Sequence, residues 1–172
     1  MQERNPFADA QRDDDARTTA DLISAYEKGV EELRLAVAGI TVEQLRSRPV
    51  AGKWSTLEVV CHIADCEQFF ADRMKRTLAM ARPLLIGADG FRYPEPLHYQ
   101  EHDLEQELDL VGATRRQTAH TLRLVAPDAW QRPAVHSETA LVTLRQLLLH
   151  AINHLSHHLR FVAEKREAMT TP

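Results

Sequence analysis

Cysteine is nearly absent from this chain, glycine and aromatic residues are sparse, and neither sign of charge dominates. The two cysteines among 172 residues are Cys61 and Cys66. They fall in one apolar segment with helical character, where side chains five apart diverge too far for a disulfide. Reduced thiols are expected, each a small buried residue before it is a redox centre. No apolar run reaches the roughly 18 residues of a membrane span. The first 17 residues are polar and acidic, unlike a secretory signal. These two absences predict a soluble, cytoplasmic protein without a membrane partner. The 21 Lys and Arg are scattered among 25 acids, leaving a net charge of −4. With no basic patch, nucleic acid is not expected as a partner. No internal repeat, low-complexity tract or convincing strand pattern is visible.

What remains is helical periodicity in a chain long enough for one domain with a substantial core. Residues 1–17, with Asp13-Asp14-Asp15, read as a loosely ordered arm; the domain proper spans 18–172. Leu22, Ile23, Tyr26, Val30, Leu33 and Val37 recur at three and four, predicting a helix over 19–38 that Gly39 ends. A short helical turn covers 41–45, and Pro49 with Gly52 breaks the chain. Trp54-Ser55-Thr56-Leu57-Glu58 then carries a capping box, with Trp54 and Val59 placed as a hydrophobic staple. The helix beginning there should run to about Met80 and carry Val59, His62, Ile63, Cys66, Phe69, Phe70 and Arg73 on its inner side. Residues 81–100 hold three prolines and two glycines, too many for a tight connection; a wrapping loop that can wall a site is expected. A third helix follows over about 103–125. After a second long connection, Thr143 can cap a fourth. Four helices with long connections predict an all-α four-helix bundle, a fold whose interior commonly assembles metal sites.

The fourth helix carries the chemistry. His150, His154, His157 and His158 lie within nine residues of an apolar, proline-free run. At about 3.6 residues per turn His150, His154 and His158 stack on one side, while His157 points about a quarter turn away. Two imidazoles at i and i+4 can present nitrogens to one ion without distorting the helix. The competing reading is a row of core histidines satisfied by carbonyls and carboxylates. His62, alone on its helix, has no spacing partner and reads first as a satisfied core histidine.

The run Lys53-Trp54-Ser55-x-x-Glu58-x-x-x-His62-Ile63-Ala64-Asp65-x-Glu67, with Thr143-Leu144-Arg145 and His154-x-x-His157-His158 further on, resembles the DinB-like superfamily and, within it, the YfiT-like branch. The match continues through Pro83, Asp89, Tyr99 and His136-Ser137-Glu138, where relatives tend to have His-Pro-Glu. This resemblance implies an up-down-down-up bundle, often a homodimer, holding one divalent metal ion, zinc or nickel before others. It places the ligands on His62, His154 and His158. His150 stands in reserve, and Asp65 could orient an imidazole or act as a base. Two departures from the family pattern stand out: Cys66 replaces a common Ser, and Arg160-Phe161 follow the His-His pair where many relatives have Gln-Ile.

The same resemblance implies function. Relatives include S-transferases that use bacillithiol or mycothiol, a maleylpyruvate isomerase and proteins labelled metal-dependent hydrolases. The first expectation is an S-transferase joining a low-molecular-weight thiol to a small electrophile in detoxification or stress response. The alternatives are a hydrolase using the same three histidines, or a non-catalytic stress-related binding protein. A di-iron bundle is not expected, because it usually needs Glu-x-x-His pairs on facing helices and the predicted helices carry none, nor is metalloprotease chemistry, because the 154–158 segment lacks the Glu of H-E-x-x-H.

Overall fold

In the computed structural model, which describes residues 17–170, the long helices are α1 (Thr19–Val37), α3 (Thr56–Ala79), α4 (Leu104–Arg123) and α5 (Leu144–Thr170), with a short α2 (Val42–Arg46) between the first two. The arm expected over 1–17 lies, apart from Arg17, outside the described residues. Each start obeys its sequence signal. Ser55 accepts the Glu58 N–H at 3.2 Å while the Glu58 carboxylate takes the Ser55 N–H at 2.6 Å. Thr18 and Thr41 close the same reciprocal box on α1 and α2, and Thr143 accepts from the Gln146 backbone at 3.2 Å to cap α5. Such caps satisfy donors that the first turn cannot. Gly39, at φ +74°, supplies the left-handed residue beyond α1 that a side chain would strain.

Cross-helix contacts fix the direction of the four long helices. Near one end of α1 and α5 Arg145 donates to the Arg17 carbonyl at 2.7 Å, and near the other Arg166 donates to the Ala36 carbonyl at 3.0 Å, so these two run parallel. Arg34 pairs with Glu105 at 2.8 Å, and Arg123 pairs with Glu27, which sets α4 antiparallel to α1. Lys75 donates to Gln117 at 2.7 Å, and Arg115 pairs with Glu67 at 2.7 Å, placing α3 parallel to α4. The result is up-down-down-up. Its parallel neighbours α3 and α4 require the long crossover over 80–103, which explains that segment's length.

The expectation of no strand is corrected. A small sheet of β1 (Leu84–Leu85), β2 (Pro133–His136) and β3 (Ala140–Thr143) joins the two long connections, with β1 parallel to β2 and β2 antiparallel to β3. Strands of two and four residues inside proline-bearing segments are too short for a period of two to register. The sheet ties the crossover to the end of the bundle: Ser137 N–H donates to the Leu85 carbonyl at 2.9 Å, and Gly87 N–H donates to the Ser137 hydroxyl at 2.8 Å.

Two apolar clusters fill the bundle, one around Leu22, Phe70, Trp130 and Leu148, the other around Leu33, Val60, Leu108 and Val162. At their boundary sits a buried polar knot. The Tyr26 hydroxyl donates to Glu67, whose other oxygen takes the Arg115 Nε–H at 2.8 Å, and Arg115 also donates to the carbonyls of Tyr26 at 2.8 Å and Ala151 at 3.3 Å. Four helices are thereby joined through two charged side chains, each 1% exposed. Gly29 makes room for them: a Cβ there would lie 2.3 Å from an Arg115 nitrogen and 2.5 Å from a Leu155 methyl.

Candidate metal centre

Antiparallel packing of α3 and α5 puts His62 against the histidine row. Ring centroids of His62 and His158 are 4.6 Å apart, those of His62 and His154 5.2 Å, and those of His154 and His158 4.4 Å. One nitrogen from each of the three lies within 4.8 Å of the others. The Nε2 atoms of His62 and His154 face each other at 3.2 Å. Two imidazole nitrogens sharing a tetrahedral zinc at the usual Zn–N length stand about 3.3 Å apart, so the donor set fits a first-row divalent ion. His158 adds a buried Nδ1 without a hydrogen-bond partner, an uncommon state for a buried polar atom.

The surroundings orient His62 and keep the row neutral. The Gly90 backbone lies close against the His62 ring and favours its protonated form. A Cβ at Gly90 would come within 3.0 Å of the ring's Cε1 and 3.2 Å of its Nδ1, so glycine permits this approach and leaves Nε2 turned to His154. Burial, then the field of His62, drives His158 down to about 3. Burial and the neighbouring imidazoles hold His154 well below its ordinary value, and burial also lowers His62. Imidazoles that stay neutral keep their lone pairs for a cation. Trp54 and Phe91 wall the outer side, their ring centroids 5.1 and 5.6 Å from that of His62.

The other residues singled out in the sequence separate clearly. His150 packs its ring on Phe70, 5.0 Å between centroids, and stands outside the cluster of three. His157 is exposed and takes a hydrogen bond from Arg160 at 2.9 Å. Asp65 accepts the Tyr99 hydroxyl and acts on His62 through its charge. Cys66 places its sulfur 3.6 Å from the His62 Nε2 but outside the cluster, and burial pushes its thiol up to about 12. Both cysteines are free. A second set, Cys61, His102 and Glu107, also lies within ligand range, yet both ring nitrogens of His102 are engaged, by Glu107 at 2.8 Å and the Leu97 carbonyl at 3.0 Å. That set is closed by its own hydrogen bonds.

The cluster of three opens into a cavity of about 720 Å³ between α3, α5 and the crossover. Sequence reasoning missed Gly90 and Phe91, which the crossover brings in, and the Glu67–Arg115 knot behind the site. A signal for the knot was present: Leu108, Val111, Arg115, Thr118 and Leu122 form the buried stripe of α4, and a charge on such a stripe demands a buried partner.

The family model described as the DinB superfamily matches residues 25–162. The chain belongs to the DinB superfamily. Within it the chain is 24% identical over 165 residues to OB0782 of Oceanobacillus iheyensis, covering 91% of this chain and 94% of that one. It is 25% identical over 148 residues to YfiT of Bacillus subtilis, covering 86% and 83%. Both relatives bear the provisional name of metal-dependent hydrolase. The solved structure of Bacillus subtilis YfiT, described as a probable metal-dependent hydrolase with an unusual four-helix bundle topology, superimposes with a TM-score of 0.84 at 23% identity, over 92% of this chain and 93% of that one. The superfamily fold is therefore the fold of this chain. Among the described residues no helix is long and apolar enough to cross a membrane.

Proposed function

We propose that this chain is a metal-dependent enzyme that binds one divalent ion through His62, His154 and His158 and directs an activated nucleophile at a small-molecule electrophile in the adjoining cavity. The observation that carries it is the convergence of three neutral imidazoles, two with Nε2 atoms 3.2 Å apart, at the wall of an open cavity. Three histidines with an open position are the donor set of catalytic rather than structural zinc, and such an ion lowers the pKa of water bound to it to about 7.

The chain's own residues supply the rest. Gly90 lets the crossover backbone pack close against the His62 ring, which restricts the ring's rotation. Asp65 favours positive charge at His62 and is itself fixed by the Tyr99 hydroxyl. Trp54 covers one side of His62, and Phe91, 71% exposed, marks the cavity's mouth.

Hydrolysis is the first reading, supported by the names of both relatives. Transfer of a low-molecular-weight thiol is the second, supported by a cavity of about 720 Å³, well within the range of small-molecule sites and roomy enough for thiol and electrophile together. The deciding experiment is turnover of an ester panel and an epoxide panel by metal-loaded protein with and without added thiol. Ester cleavage indifferent to thiol supports the hydrolase; strict thiol dependence with a thioether product supports the transferase. No turnover of either panel by protein carrying one metal per chain contradicts both.

A further inference from the structure

The far end of the cavity is built differently from the metal end. Arg73 follows His62 by eleven residues on α3, about three turns on and at nearly the same angle, with Cys66 and Phe69 between them on the same cavity wall. Its side chain is only 9% exposed overall. One nitrogen donates to the Ile86 carbonyl at 2.8 Å, out of the five N–H donors a guanidinium carries. Among the described residues Arg73 has no ion-pair partner. Asp72 pairs with Arg76 at 2.7 Å and Asp89 with Arg92 at 2.7 Å, while Glu138, exposed beside Gly87 on the same cavity wall, acts on Arg73 through its charge without forming an ion pair with it. His136 and His150 share this end of the cavity and are kept neutral, chiefly by burial. A largely buried cation without a directly paired anion is costly, and here it borders a space that a ligand can enter.

We propose that Arg73 is an anion subsite that takes the carboxylate of the substrate, while the reacting group of the same molecule lies at the three-histidine centre. The planar guanidinium fork matches a carboxylate, and the two ends of the cavity then select a small acid whose charged group stands apart from its electrophilic group. This assignment of substrate class rests on the metal reading above, but the binding of an anion by Arg73 does not.

The test separates the two. In chelator-treated wild-type protein, butyrate is titrated while the Arg73 Nε–H signal is followed by nitrogen-15 NMR. A saturable shift supports the subsite; a signal that stays put in folded protein overturns it, whatever the metal does. In zinc-loaded protein, calorimetry compares the linear α,ω-dicarboxylates from succinate to suberate with monocarboxylates of equal length. The dicarboxylate of matching span should bind about tenfold more tightly or better. Arg73→Gln should erase that advantage, and Arg73→Lys should keep part of it. Equal affinities in the two series, or an advantage undiminished in Arg73→Gln, overturns the bridging substrate. Failure to load zinc counts against the metal centre, and the butyrate titration still decides Arg73.

Discussion

The bundle holds two buried polar groups side by side, and they are opposites. In the Tyr26–Glu67–Arg115 knot each charge has its counter-charge and each strong donor an acceptor. In the His62–His154–His158 cluster nitrogen faces nitrogen, and the Nδ1 of His158 has no partner. Both draw on α3 and α5, and Arg115 is close enough to His154 to lower its proton affinity. The knot is complete without a ligand. The cluster leaves the buried Nδ1 of His158 without a protein partner, as the donor set of the proposed metal site would.

If this contrast is right, the two groups fail in different ways. The largest effect on stability belongs to the knot: Arg115→Ala strands the Glu67 carboxylate in the core and should cost about 3–5 kcal/mol, read by denaturant unfolding, with metal per folded chain unchanged. Gly29→Ala attacks the same knot from outside. Its Cβ would press on Arg115 and Leu155, for a loss of about 1–3 kcal/mol. A variant of either kind that kept full stability but lost metal would merge the two groups into one.

Acid breaks the contrast from the other side. His150 and His158 have folded-state values pushed down to about 4 and about 3, first by burial, against about 6.5 in the unfolded chain. A depressed value means that the unfolded chain binds the extra protons first. Their stabilising contribution is therefore complete above pH 6.5 and lost as pH falls towards 3. Chelator-treated protein should lose stability steadily through that window when its urea midpoint is followed against pH. A midpoint flat from pH 6.5 to 4 would show that these rings are not held neutral. The smallest effect is reserved for Cys66→Ser, which should retain one metal per chain, because its sulfur lies outside the cluster of three.

Helix starts, stops and the bundle itself were legible because capping boxes and three-four periodicity are local signals. The histidine row on α5 was equally plain. His62 was different: one residue has no spacing, and only the antiparallel packing of α3 on α5 gives it partners. The family pattern of residues, not periodicity, singled it out. The crossover was hardest to read. Gly90 and Phe91 owe their place to a three-stranded sheet whose strands are too short to show in sequence, and that sheet is what lays the crossover over the cavity. The charges of the knot were visible as residues but not as a group, since Glu67 and Arg115 lie 48 positions apart and neither predicts the other.

The most direct test is elemental analysis of tag-free protein purified without chelator or added metal, with wild type beside His62→Ala, His154→Ala, His158→Ala and His157→Ala. The account predicts close to one divalent ion per chain in wild type and His157→Ala, and loss of that ion in each of the other three while they remain folded. Folded wild-type protein that carries no stoichiometric metal and takes up neither zinc nor nickel would contradict it, as would equal loss in His157→Ala.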